Sequence, residues 1–358
     1  MVEAVVVIVV GLAIGTAPPK WLRLPEPMVL LAIGALLRVA LGGHANEDVF
    51  KVAAYIGLFA LLFGVGVELS DLGHRPLTPL GLGLASIGAI ILAGIGIVTL
   101  LTLQTTPGRV ALAIILSSIP TSAGIAARLI RPHGTGDGSG YATIISAAVA
   151  DDFFGITLLV LAPLLAVGAS LDLTSSPSIA LVASVIVVVA MLLIRPRGTP
   201  LKLVKLSVLT IAGIVSGVSA ALLGVFDGHE TAPHLPNKFR SWLPTLERLL
   251  PTMFFMVAGY DIHLSLLAHT RVLLSAALIV AALLISRLVI AVATPGDLRV
   301  RLAVGAGMLA RGEVTIAMAL VFLQSGVISS SNYASLMAVV LASTALSAMA
   351  LRLNRLRR

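Results

Sequence analysis

Two adjacent carboxylates, Asp151 and Asp152 in "AAVADDFFGI", stand inside one of the most apolar stretches of the chain. Acids in that setting are costly, usually face a cavity, and commonly mark an ion or proton path. Three further groups have types suited to the same chemistry. At "SSIPTSAGIAARLI", Pro120 removes an amide donor and frees carbonyls next to the hydroxyls of Thr121 and Ser122. These are hard oxygen donors of the kind that suits alkali cations. Arg287, in "LLISRLVIAV", is a cation deep in an apolar run, and Arg311 and Glu313 flank a glycine at "GMLARGEV". Together these residue types suit an ion path through an apolar interior.

The elements that position them must be membrane helices. The chain has 358 residues, of which 58% are hydrophobic and 11% charged, and its mean hydropathy is +1.08. Those values lie far outside the range of a soluble domain. Open strands cannot satisfy their backbone in lipid, so the reading is helical throughout. Apolar segments recur at roughly 2–17, 25–43, 48–69, 76–104, 107–131, 139–167, 176–194, 200–226, 242–260, 270–293, 296–324 and 332–352. The first of them, "VEAVVVIVVGLAIG", lacks a basic leader and a small-residue cleavage site, and is read as a retained span. No stretch remains for a soluble domain.

Charge refines that parse. The net charge of +8 sits mainly at segment ends, as an orientation signal does, which argues against nucleic acid as a partner. With Lys20 and Arg23 cytoplasmic, Arg75, Arg128, Arg131 and the basic residues at 195–205 alternate onto the same side, but Lys238, Arg240, Arg299, Arg301 and the "LRLNRLRR" tail invert. Splitting 200–226 near "GIVSGVSA" restores them. We therefore read thirteen membrane elements, with twelve as the alternative. The absence of cysteine excludes disulfides and thiolate metal sites. The seven histidines, His44, His74, His133, His229, His234, His263 and His269, have no clustered ligand spacing and are read as surface residues rather than metal ligands.

An internal similarity organises the thirteen. "LFGVGVELSDL" at 62–72 resembles "FFMVAGYDIHL" at 254–264, and an offset near 190 residues also pairs "SIPTSAGI" with "MLARGEVT", the two places where an apolar helix is interrupted. The expected fold class is an all-α polytopic membrane protein: residues 1–168 form a first inverted repeat, 176–194 a linker helix, and 200–354 a second repeat. Each repeat carries one broken helix, and the substrate site lies where the broken helices cross, as in secondary transporters.

The acids then gain a geometry. Asp151 and Asp152 fall about 12 residues into a helix starting near Ser139, close to the bilayer midplane. Rotated by about 100° from one another, they face different partners, so one can bind an ion while a fixed charge holds the other. Plainer readings stand beside these: paired or protonated acids that only join helices, an Arg287 that snorkels, an ordinary kink at Pro120, and an Arg311–Glu313 structural pair.

"TSAGIAARLI", "ISAAVADDFFGI" and "GMLARGEV", in that order and spacing, resemble the cation/proton antiporter superfamily, in particular its paired-aspartate branch of NapA-like sodium/proton antiporters. "GLFALLFGVGVELSDL" and "PTMFFMVAGYDIHL" resemble it too, so the likeness covers nearly the whole chain. The resemblance implies a homodimer in the inner cell membrane, each protomer with a core domain that carries two crossing broken helices and moves like an elevator against a scaffold domain. It implies that Asp152 alternately binds Na⁺ (or Li⁺) and a proton, and that Asp151 pairs with the basic residue on the helix before the second broken one. Thr121 and Ser122 would lie in the first crossing. Electrogenic members carry Lys at the basic position, where this chain has Arg287. Arginine stays protonated at accessible pH, so Asp151 is expected to remain ionised, leaving one exchanging acid and about one proton per cation. No cofactor is expected.

Other readings predict different features. A Kef-like K⁺/H⁺ exchanger would share the motifs, but such relatives often carry a large nucleotide-binding C-terminal domain, and this sequence runs to Arg358 directly after its last apolar segment. A cation channel would share the broken helices and need no competition between ions. A membrane hydrolase would need a nucleophile and base, and neither a Ser-His pair nor a His-Glu-x-x-His motif is evident, so enzymatic activity is not expected.

Overall fold

The computed structural model describes residues 2–16, 26–42, 47–72, 79–103, 107–122, 147–148, 150–151 and 237–356. All regular structure among them is helical. In chain order the elements are α1 (Val2–Thr16), α2 (Glu26–Leu41), α3 (Glu47–Leu72), α4 (Pro79–Leu103), α5 (Gly108–Ser118), α6 (Asn237–Tyr260), a 3₁₀ turn (Leu264–Ala268), α7 (Thr270–Ala293), α8 (Leu298–Gly307), α9 (Glu313–Gln324) and α10 (Ser330–Leu356). Residues 150–151 are also helical. The segments expected at 176–194 and 200–226, most of 139–167, and Asp152 itself lie outside the described residues, so the choice between twelve and thirteen elements lies there too.

Among the described residues three helices are long and apolar enough to cross a membrane, through Gly83–Leu100, Thr270–Ala293 and Ser330–Leu353. Helix α7 shows how a span apolar on every side is still oriented. Val272, Ala276, Ile279, Leu283, Arg287 and Ile290 recur every three to four residues and are buried, whereas Leu273, Leu284, Leu288 and Val292 are exposed. The first set is a helical packing stripe and the second is the surface that lipid would cover.

The chain forms two compact units, each drawn from discontinuous segments. One comprises α1–α3 and α6, with α6 packed on the other three. There α2 and α6 meet backbone to backbone: a Cβ at Gly34 would run into Met256 O and come 2.8 Å from Tyr260 N. Tyr260, at the end of α6, ties the unit's polar groups together. Its hydroxyl donates to Glu3 Oε2 at 3.0 Å, its carbonyl accepts from Arg38 Nη1 at 3.0 Å, and the Arg38 guanidinium lies 5.4 Å from its ring centre. The arginine thus satisfies a helix-end carbonyl that has no partner within the helix.

The other unit comprises α4, α5, the Asp151 segment and α7–α10. Its core includes Leu84, Ala85, Ala150, Ile290, Val304 and Met308. Local rules set its boundaries. Gly296, at φ +117°, makes the turn after α7 that few other residues could adopt, and the Asp297 side chain then caps α8 by accepting from Val300 N at 2.9 Å. Arg301 reaches back to the last carbonyls of α7, with its Nε 3.1 Å from Ala291 O. Helix α9 closes at Gly326, φ +69°, with Val327 N donating to Phe322 O at 3.0 Å.

The second expected interruption is present, and at the first the helix stops as expected, while the residues directly after Ser122 lie outside the described ones. Regular helix ends at Ser118, before Pro120, and again between Gly307 and Glu313. Helix α10 satisfies part of the second break with hydroxyls. Thr344 Oγ1 accepts from Arg311 N at 3.2 Å and donates to Arg311 O at 2.9 Å, and Ser347 Oγ donates to Ala306 O at 2.6 Å. A single hydroxyl therefore serves both backbone groups of Arg311. Thr344→Val keeps the shape and removes both bonds, so it is expected to cost about 1–3 kcal/mol. Thr344→Ser is expected to retain most of that stability, as read by thermal melting in detergent.

Candidate functional site

The two breaks satisfy each other's backbone. On the first, the carbonyls left where α5 ends are taken up by the second: Arg311 Nη1 donates to Ile119 O at 2.5 Å and to Pro120 O, and Thr315 Oγ1 donates to Pro120 O at 3.2 Å. In the other direction, Ser122 N donates to Ala310 O at 3.1 Å. Thr121 Oγ1 lies 3.1 Å from Met308 O. Arg311 and Thr121 are fully buried, where water could not take over these bonds.

The half-helix ends are also matched in charge. Arg311 stands at the C-terminal end of α5, which carries the partial negative charge of its free carbonyls. Glu313 is the first residue of α9, where free amides make a partial positive end. The Glu313 carboxylate, half-buried, accepts from Ser122 Oγ at 2.5 Å. From sequence, Glu313 could bond freed amides of the opposite broken helix or pair with Arg311; in the structure its carboxylate accepts from the Ser122 hydroxyl.

Asp151 faces this crossing. It is fully buried, with Oδ2 2.6 Å from Thr121 Oγ1 and 3.4 Å from Arg287 Nη2. Arg287 is 3% exposed, which excludes the snorkelling arrangement and sets its charge against Asp151. Its Nη2 also lies 3.3 Å from Thr121 Oγ1, as does Arg311 Nη1. Thr121 has a single hydroxyl proton for two acceptors, and the 2.6 Å distance assigns it to Asp151, leaving the oxygen's lone pairs for the two guanidinium groups. Among the described residues Asp151 Oδ1 has no hydrogen-bond partner.

Of the residues singled out from sequence, Pro120, Thr121, Ser122, Asp151, Arg287, Arg311 and Glu313 are therefore brought to one place, and Asp152 lies outside the described residues. Among the described residues no cluster of three His, Cys, Asp or Glu could hold a metal. His263 and His269 lie on the connection after α6, half-buried and exposed respectively. Sequence reasoning passed over Thr315, Thr344 and Ser347, the hydroxyls that complete the breaks. Thr344 and Ser347 stand three residues apart in a largely apolar helix, and that spacing on one face is the signal that could have found them.

The arrangement offers two buried guanidinium groups, a buried carboxylate that one of them holds by charge, and a second carboxylate at a helix N-terminus. Polar groups of that density inside an apolar helical unit suit a small hydrophilic ion.

Known proteins resemble this chain in sequence and fold. A family described as sodium/hydrogen exchanger, transmembrane, matches residues 203–352. The chain is 23% identical over 374 residues, covering 93% of this chain and 80% of the relative, to the high-affinity Na⁺/H⁺ antiporter NhaS3 of Synechocystis sp.. Two solved structures of the sodium proton antiporter MjNhaP1 from Methanocaldococcus jannaschii share its fold. One, at pH 8, has a TM-score of 0.68 at 18% identity and covers 99% of this chain and 98% of that one. The other, an electron-microscopy structure, has a TM-score of 0.61 at 16% identity, with 100% and 98% covered. In sequence over its second half and in fold over nearly its whole length, the chain is thus similar to sodium/proton exchangers.

Proposed function

We propose that the protein is a secondary transporter exchanging Na⁺ (or Li⁺) for H⁺ across the cell membrane, with cation and proton competing for Asp152. The observation that carries this reading is the Asp151–Arg287 pair, buried where the end of α5 meets the break between α8 and α9. Charge bookkeeping supports it. The two guanidinium groups balance Asp151 and Glu313, so Asp152, next in sequence, adds one negative charge that nothing else among these groups offsets. In a medium of low dielectric that charge must be neutralised. A monovalent cation does so, and so does a proton.

Competition is the whole coupling mechanism. A carboxylate withdrawn from water takes up protons nearer neutral pH, so it releases its proton when Na⁺ arrives and its Na⁺ when protons are plentiful. The Arg287 guanidinium stays charged throughout. Asp151 is held ionised beside it, and exchange is then one for one. Alternating access follows if the core moves when Asp152 is neutral and resists moving when it is bare.

Several observations support an elevator-type core and scaffold. The described chain divides into two units, and every described residue of the site falls within one of them, so it could travel as a body. The helices beginning at Glu47, Pro79 and Gly108 have counterparts beginning at Asn237, Thr270 and Leu298, each about 190 residues on, which supports the two-repeat reading. The relatives reported above, each a sodium/proton antiporter, favour Na⁺ over K⁺. A homodimer is part of the same reading.

Asp152→Asn is expected to abolish exchange while leaving the melting temperature within about 3 °C of the wild type, a small stability change. The check is a pH-sensitive dye in proteoliposomes holding a proton gradient, with Na⁺, Li⁺ and K⁺ added in turn. Dissipation by Na⁺ or Li⁺ that persists in the mutant would remove Asp152 from the mechanism. A response to K⁺ alone would replace Na⁺ by K⁺ as the exchanged ion.

A further inference from the structure

The Asp151–Arg287 contact has little slack. At 3.4 Å it is near the outer limit of a hydrogen bond, and Arg287 Nε and Nη1 have no hydrogen-bond partner among the described residues. The plane of the guanidinium is therefore set by what packs on it.

Helix α4 packs on it through a glycine. A Cβ at Gly88 would lie 2.7 Å from Arg287 Nη1 and would run into Ile290 Cδ1. The crossing is pinned there, because Ser286 Oγ donates to Gly88 O at 2.8 Å and Ser286 is fully buried. From the opposite element, α8, a Cβ at Gly305 would come 2.9 Å from Arg287 O. One glycine thus limits the guanidinium and another the backbone that carries it. Elsewhere on α4 the surroundings differ: at Gly83 and Gly94 an added Cβ would meet nothing within 4 Å, and at Gly96 it would run into Ile115, away from the guanidinium.

We propose that Gly88 is a positioning residue for ion exchange: by leaving room for Arg287 Nη1, it lets Nη2 reach Asp151 and Thr121. This inference rests on the transport reading above. A methyl group at 88 would press on Nη1 and turn the rigid guanidinium, lifting Nη2 from a contact that is already long. Asp151 would lose its charge partner, and the balance between proton and cation would change with it.

The test is a mutant cycle in proteoliposomes and in detergent. Gly88→Ala is expected to lower Na⁺-driven exchange about tenfold, the scale of one charge-assisted hydrogen bond, and to move the pH of half-maximal rate. Gly94→Ala, on the same helix, is expected to stay within about twofold of the wild type. Lysine has no Nη atoms, so in the Arg287→Lys background Gly88→Ala should change the rate by less than about twofold. An equal loss in both backgrounds would overturn the proposal. So would full recovery of the Gly88→Ala protein by Ile290→Ala, because the glycine would then serve Ile290 alone. If the wild type exchanges no cation, the transport reading fails, and melting still decides the contact: Gly88→Ala must lower the midpoint more with Arg287 present than in the Arg287→Lys background, and an equal drop in both would overturn it.

Discussion

The structure depends on one constraint, that a backbone interrupted inside an apolar interior must find partners there for the groups it frees. In lipid an unpaired amide or carbonyl costs several kcal/mol, and no solvent is at hand to relieve it. Here the two interruptions relieve one another. The carbonyls of Ile119 and Pro120 are capped by Arg311 and Thr315, and those of Met308 and Ala310 face Thr121 and Ser122. Neither break would be tolerable alone, so the crossing is a single unit with two strands.

The charges follow from that arrangement. Arg311 is buried because it closes the end of α5, and Glu313 is held near it because it begins α9. Thr121, fixed by the crossing, carries the order onward to Asp151. The crossing thereby turns backbone satisfaction into a defined position for a carboxylate, with donors already in place. Such preorganisation matters for an ion that must be bound and released repeatedly, because the site need not be rebuilt at each turnover. Arg287 adds a charge that cannot be discharged by losing a proton, which distinguishes this site from one built on lysine.

Much of this was legible in the sequence because the physics is local. The span 270–293 has the bounds read from its apolar run. Both interruptions fall where Pro120 and Arg311-Gly312-Glu313 stand, since proline and charge cannot continue an apolar helix silently. What was not legible depends on neighbours distant in sequence. That Arg311 would spend an Nη on the opposite break, that Thr344 would serve both backbone groups of one residue, and that Gly88 would face a guanidinium are facts of tertiary packing. Boundaries slipped where polarity misleads. Helix α6 begins at Asn237 rather than 242, through a charged, proline-bearing stretch, and α10 runs on to Leu356 although its arginines read as a stop. The acid expected to bind the ion, Asp152, lies outside the described residues, so its role rests on its place beside Asp151.

The central claim is that Arg287 keeps Asp151 ionised and leaves one acid to exchange. Its most direct test is the electrical balance of transport. A voltage-sensitive dye would be read in proteoliposomes while an inward Na⁺ gradient drives protons out. The account predicts that the pH gradient collapses with no change in potential, and that clamping the potential leaves the rate unchanged. A potential that builds with the Na⁺ gradient and slows exchange until it is shunted would contradict it, because a second proton would then be crossing with each cation.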